Sequence, residues 1–374
     1  HITNAYDDGK STGAVRRFFN NSILGPSDVR KIQENQFDFF FEDKGIKDFL
    51  TLRLDGDKDK ILHELKAISN SKIPSTEDIY KYYRVLPIEF KKIIDGALRH
   101  FFSKDFYLLD LEDFALSNLI YASLADLHGG LQEAEEIIRQ QLRIPDPVLL
   151  NSGQNSYAYA LTESGVLLSD EASIVDYSDI SPIYEVYLSD KPLDDKIRQS
   201  FLALGAFEEK KEFALKHSSD FPSLSPKAKS ALEVADIVIF GPGTQYSSLY
   251  PSYFTKNLAS VLRKIRAFKI IITNINHDNE TPGFSSVDQI RQALFYLNQK
   301  GKYKYMDSDF FDVMIANEPK DEDTKYIRPN RTELEQLNIK NIVIQDIEDP
   351  FSQGSHDGNK VANLIINSFR SRWK

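Results

Sequence analysis

The sequence predicts an α/β protein, a mostly parallel sheet covered by helices and carrying a helical insertion. Three observations lead there. Short apolar runs at 237–240, 269–273, 313–316 and 342–345 alternate with helical patterns, as buried parallel strands do. Strand-to-helix junctions hold clusters of glycine in a chain that has only 17. Residues 34–102 show helical spacing at Ile88, Phe90, Ile93, Ile94, Ala97 and Phe101.

In chain order, an extended start at 1–4 precedes a glycine-bearing turn and a helix at 11–20. After the insertion, helical patterns cover 114–127 and, beyond Gly129-Gly130, 131–142, where Pro145 and Pro147 end them. Residues 157–161 and 166–168 flank Thr162-Glu163-Ser164-Gly165 as a hairpin. Each later strand leads into a polar loop and a helix: to about 265 after the first, 286–297 after the second, and 359–369 at the end. With no internal repeat, residues 1–374 read as one α/β domain with the insertion at 34–102.

Composition narrows the function. The 374 residues carry 46 basic and 56 acidic side chains, a net charge of −10, which argues against a general grip on nucleic acid or an anionic membrane. No apolar run approaches the ~18 residues of a spanning helix, and the absence of cysteine excludes disulfides and thiolate chemistry. A cytoplasmic protein is expected, and a homo-oligomer is left open. The seven histidines lack zinc-site spacing, and no Gly-x-Ser-x-Gly elbow is present.

Asp7-Asp8-Gly9-Lys10-Ser11-Thr12-Gly13 lies between strand and helix, where ligands bind in open α/β sheets. Lys10, the backbone N–H groups and the helix N-terminus suit an anion. Five basic residues against three acidic ones in the first 31 give the region a positive balance. A P-loop is excluded, because Asn4 stands where its first glycine belongs. Asp7 and Asp8 suit a hard cation such as Mg²⁺, or else a solvated turn or helix cap. Gly25-Pro26-Ser27-Asp28-Val29-Arg30 reads as a second helix entry with Ser27 as N-cap; Asp28 and Arg30 either pair with neighbours or face the ligand.

Gly241-Pro242-Gly243-Thr244 ends another strand. It suits a phosphate or ribose hydroxyl, or simply a βα turn capped by Ser247 or Ser248. A third loop, from Asn274 to Gly283, also follows a strand, and the three loops are expected along one sheet edge. His277 is a candidate ligand contact or an ordinary surface histidine.

The segments Asp7-Asp8-Gly9-x-Ser11-x-Gly13, Pro26-Ser27-Asp28-Val29-Arg30, Ser117-Asn118-Leu119, Gly241-Pro242-Gly243-Thr244-x-Tyr246-x-Ser248 and Asn274 through Glu280-Thr281-x-Gly283-Phe284 resemble, in order, the CofD-like superfamily. This superfamily joins 2-phospho-L-lactate transferase to the YvcK-like gluconeogenesis factors. The latter branch typically reads Asp-Asp-Gly-Gly-Ser-Ser-Gly at the first segment, and the chain resembles it more. The resemblance implies a Rossmann-like three-layer α/β/α fold and a nucleotide-diphosphate-type ligand. Asp7 and Asp8 would be catalytic or metal-binding residues. Gly9, Lys10, Ser11, Gly13, Gly241, Gly243 and Thr244 would surround the diphosphate, with Asp28 and Arg30 near it, and Asn274 would read the base or acceptor. It implies a UDP-sugar-binding regulator of carbon metabolism or cell shape. The alternatives are a Mg²⁺-assisted transferase moving a phospholactyl or phosphoenolpyruvyl group from a guanosine diphosphate conjugate to a deazaflavin alcohol, and a scaffold without ligand. The superfamily's first strand and glycine loop would precede His1, so a longer natural product is expected.

Overall fold

The computed structural model describes residues 1–179, 181–320, 323 and 325–372. The chain divides into two compact units. The first comprises His1–Tyr157 with Asp170–Ala172 and Asp190–Pro192; the second comprises Ala158–Ser169, Ser173–Ser189 and Leu193–Lys374.

In the first unit, β1 (Ile2–Thr3) leads through the acidic loop to α1 (Lys10–Phe18) and α2 (Ser27–Phe41). Next come α3 (Lys44–Leu50), β2 (Arg53–Leu54), α4 (Lys58–Ser69), α5 (Tyr80–Tyr83), α6 (Ile88–Phe102), β3 (Phe114–Ala115), α7 (Leu116–His128), α8 (Leu131–Leu142) and β4 (Leu149–Leu150). β1 pairs with β4 in parallel and β2 with β3 antiparallel. The predicted helix at 114 therefore starts two residues later, after a short strand. Position 34 falls inside α2, and one core holds Val15 of α1, Phe37 of α2, Phe90 and Phe101 of α6, Leu119 of α7 and Ile138 of α8. The 34–102 segment is helical as its periodicity predicts, and it shares its apolar interior with the rest of the unit. The N-cap position of α2 is Pro26, without a side-chain hydrogen bond, rather than Ser27.

The second unit opens on the predicted hairpin, β5 (Tyr157–Thr162; Tyr157 itself clusters with the first unit) and β6 (Leu167–Leu168), with Ala160 opposite Leu168. β7 (Ile183–Ser189) completes this three-stranded sheet. The main sheet is parallel, in the order β11-β10-β9-β8, from β8 (Ile237–Phe240), β9 (Phe268–Ile272), β10 (Val313–Asn317) and β11 (Asn341–Gln345). One face packs Ile270, Ile272, Val313 and Ile315 against Val361, Leu364, Ile365 and Phe369 of the closing Gly358–Ser371 helix. On the other face, Phe240, the register partner of Ile271, meets Tyr253 edge-on at 5.7 Å between centroids. Helices on both faces make the α/β/α layering. A small hairpin of β12 (Glu348–Asp349) and β13 (Ser352–His356) follows.

Two elements deviate from the sequence reading. The helix expected after the Gly-Pro-Gly turn is interrupted. A π-helical turn at Gln245–Leu249 runs into Tyr250–Tyr253, and a separate helix begins at Leu258 after Asn257 adopts a φ of 71°. Asparagine tolerates this left-handed conformation better than most residues. The loops after β8 and β9 share one sheet edge, whereas the acidic loop follows β1 in a separate two-stranded pair.

Candidate functional site

The acidic loop is shaped from within. Asp7 accepts hydrogen bonds from the Gly9 N–H (2.9 Å) and the Thr12 hydroxyl (3.1 Å), closing the turn that starts α1. Asp8 accepts the backbone N–H of Glu171 at 3.1 Å. Glycine is required where the chain crowds this loop: a Cβ on Gly13 would lie 2.0 Å from the Asp8 carbonyl oxygen, and one on Gly25 would lie 2.2 Å from that of Asp7.

Arg16 lies beneath the loop, fully buried. Its Nη1 donates to the carbonyls of Tyr6 (3.1 Å) and Asp7 (3.0 Å), and its Nη2 to Asn155 Oδ1 (2.6 Å) and the Ser156 carbonyl (3.0 Å). The guanidinium also stacks over the Tyr157 ring at 3.8 Å. Arg30 is committed as well. Its Nε donates to Asn118 Oδ1 at 2.8 Å, and its Nη1 grips Glu34 at 2.7 and 2.8 Å. Asn118 in turn donates to Ser11 (3.0 Å) and Thr12 (3.3 Å), so α1, α2 and α7 are joined by one polar chain.

Carboxylates dominate what remains. Burial pushes Asp8 up to about 6 despite Arg16, with Asp170 and Asp7 adding repulsion. Asp28 is also pushed up to about 6 by burial, with Asp7 opposing its charge. Glu171 is raised further, by burial and by sharing a hydrogen bond and like charge with Asp7. Lys10 is exposed. This oxygen-rich donor set suits a hard cation. Among the described residues, no three acidic or histidine side chains are arranged to hold a metal by themselves. The carboxylates fit Mg²⁺ only in the mode in which ligand oxygens complete the coordination.

At the second site, Asn274 clamps the glycine turn. Its Oδ1 accepts the Gly243 N–H and its Nδ2 donates to the Gly243 carbonyl, both at 3.0 Å. Glu280, 2% exposed, accepts the N–H groups of Tyr246 (2.7 Å) and Ser247 (3.1 Å) together with the Ser247 hydroxyl. Burial pushes Glu280 up to about 7 while these donors pull the other way. Asp278 caps the Glu280-Thr281 loop, accepting both N–H groups and the Thr281 hydroxyl. Thr244 and Ser248 pair through their hydroxyls at 2.8 Å. A Cβ on Gly241 would meet nothing within 4 Å, and one on Gly243 nothing nearer than 3.8 Å.

The structure thus groups Asp7, Asp8, Gly9, Ser11, Gly13, Asp28 and Arg30 in the first unit and Gly241, Gly243, Thr244 and Asn274 in the second. Ser247, one of the two residues named for a capped turn, donates its hydroxyl to Glu280, and His277 is half-buried. Arg16, Glu171 and Glu280 were not singled out from sequence. Glu171 gave no spacing signal at all, whereas Glu280 stood inside the Glu-Thr-x-Gly-Phe segment.

A four-stranded parallel sheet with helices on both faces and polar loops at its carboxyl edge defines a three-layer α/β protein. The chain belongs to the CofD family, described as 2-phospho-L-lactate transferase CofD, which matches residues 1–349. It is 27% identical to a putative gluconeogenesis factor of Thermotoga maritima over 69% of this chain and 73% of that protein. It is 24% identical to the Bacillus subtilis gluconeogenesis factor over 79% of this chain and 83% of that one. Its fold matches a Bacillus halodurans protein of the UPF0052 family with a TM-score of 0.65, at 16% identity, over 98% of this chain and 89% of that one. Among the described residues, no helix is long and apolar enough to cross a membrane.

Proposed function

We propose that the chain binds a nucleotide-diphosphate ligand of the UDP-sugar type, with Mg²⁺ on Asp7 and Asp8, and acts as a regulator of carbon metabolism or cell shape. One observation carries the reading. The acidic loop gathers Asp7, Asp8, Asp28 and Glu171 while the guanidinium groups of Arg16 and Arg30 are spent on internal bonds. A bare diphosphate meets repulsion there, and a diphosphate bridged by a divalent cation does not. Lys10 adds an exposed cation at the start of α1. The gluconeogenesis-factor names of the relatives favour a regulator over an enzyme.

The transferase reading draws on Asp8. A carboxyl held near 6 is suited to taking a proton from an acceptor hydroxyl at neutral pH, and Mg²⁺ would supply stabilisation of the leaving phosphate. Thermal shift with UDP-sugars, GDP and a deazaflavin alcohol, with and without Mg²⁺, separates the two. Mg²⁺-dependent stabilisation by a UDP-sugar without turnover, lost in Asp8→Asn, supports the regulator. Turnover of a guanosine diphosphate conjugate, lost in the same variant, supports the transferase. No response to any of these ligands defeats both.

A further inference from the structure

The last turns of α2 carry Phe37, Phe39, Phe40 and Phe41, and only Phe37 belongs to the core. Phe41, one turn on, packs on Phe37 with ring centroids 5.2 Å apart, and Phe40 touches Phe39 at 5.1 Å and Phe41 at 6.3 Å. Phe39 is nevertheless 80% exposed, and Phe40 and Phe41 are each 42% exposed. The helix ends on the left-handed Glu42, and a Cβ on Gly45 just beyond would lie 3.3 Å from Val85. Val85, 59% exposed, and Ile88, 69% exposed, extend the apolar surface from the turn into α6.

Area and charge decide what such a surface fits. At about 200 Å² per phenylalanine, the three outer rings leave roughly 330 Å² in water. Val85 and Ile88 bring the patch to about 500 Å², toward the upper end of what a monomer exposes. Around it, Asp38 pairs with Lys47 at 2.6 Å, Glu77 with Arg84 at 3.2 Å and Glu89 with Lys92 at 2.8 Å. No strong charge of one sign is left to select a highly charged partner or to repel a like surface. Two such patches face to face would remove about 1,000 Å² from water before the polar rim is counted, which reaches the lower bound for a specific interface.

We infer that the aromatic end of α2, with Val85 and Ile88, is a self-association surface that docks on the same patch of a second copy of this chain. A two-fold contact repeats one patch on both partners, and an apolar, phenylalanine-rich centre within a rim of paired charges has the make-up of an interface core. Phe39, the most exposed of the rings, is its anchor.

Sedimentation velocity of the intact chain from about 1 to 100 μM tests this. Wild type should pass from monomer to dimer with a dissociation constant on the order of 10 μM, as a small interface allows. Phe39→Ser and, from the other segment, Val85→Ser should each weaken the dimer about tenfold or more and leave the melting temperature in place, because both side chains are exposed. Phe351→Ser, at an exposed ring in the β12–β13 turn, should leave the dissociation constant unchanged. Hydrogen exchange of wild type gives an independent reading, since residues 39–45 and 85–88 should gain protection as concentration rises. A chain that stays monomeric over the whole range overturns the inference, and so does a dimer indifferent to both Phe39→Ser and Val85→Ser. Monomers that bind phosphatidylcholine vesicles through Phe39 would put a lipid surface in place of the second copy and overturn it as well.

Discussion

Asp8 Oδ1 accepts the Glu171 backbone N–H at 3.1 Å, joining residues 163 positions apart in sequence. That bond holds two carboxyl groups beside Asp7 in a half-buried setting, and the strain is electrostatic. Asp8 and Asp28 are both raised from 3.8 to about 6. A carboxyl raised on folding favours the native state while it is protonated. Its stabilisation is complete below about 3.8 and fades as pH rises through about 6. In metal-free buffer the melting temperature of wild type should fall relative to Asp8→Asn across this window, and Mg²⁺ should restore wild type above it. Parallel melting curves for the two proteins would refute the raised Asp8.

Arg16 is the countercharge beneath the loop, with four hydrogen bonds to Tyr6, Asp7, Asn155 and Ser156. Arg16→Ala leaves these acceptors buried and removes the cation nearest Asp8, so urea unfolding should show a loss of about 3–5 kcal/mol. Arg16→Lys keeps the charge but not the planar fork, and should recover only part of that loss. A cost below about 1 kcal/mol for the alanine variant would contradict the packing described.

The glycines divide into two kinds. Gly13→Ala and Gly25→Ala drive a methyl group into the carbonyl oxygens of Asp8 and Asp7, at 2.0 and 2.2 Å. Backbone cannot yield as a side chain does, so each should cost about 3 kcal/mol and abolish Mg²⁺-dependent ligand stabilisation. Gly243→Ala meets only Leu249 at 3.8 Å and should change stability by about 0.5 kcal/mol at most, so any larger effect it has on ligand affinity is local. Denaturation of the three variants side by side checks the contrast.

The main sheet was legible because β8 to β11 carry apolar runs; the central β9 and β10 are buried throughout, which demands that composition, and the outer β8 and β11 only partly so. β1 was read as the extended start at 1–4, whereas β4 was not read, since a two-residue strand carries no periodicity. The break before Leu258 was hidden in residues that read as helical, although Pro251 and the left-handed Asn257 mark it in retrospect. Asp7, Asp8 and the glycines declared themselves through residue type and position beside a strand. Arg16 looked like one charge among five, because nothing local shows that a helical arginine points inward. Glu171 reaches the loop only through tertiary folding. Asn274 was expected to read the base or acceptor; its amide serves Gly243, a pairing that depends on the adjacency of β8 and β9.

Lys10 separates stability from binding. It begins α1 with a φ of 39°, a left-handed conformation that disfavours any side chain bearing Cβ. The gluconeogenesis-factor pattern that the sequence resembles places glycine at this position. Lys10→Gly should therefore gain about 1 kcal/mol from relieved backbone strain, reduced by the extra freedom of glycine in the unfolded chain. The same change removes the exposed cation next to the acidic loop, so Mg²⁺-dependent affinity for a UDP-sugar should fall. Denaturant unfolding and ligand titration of one variant then move in opposite directions. If both fall together, Lys10 is a structural residue and the cation has no share in holding the diphosphate.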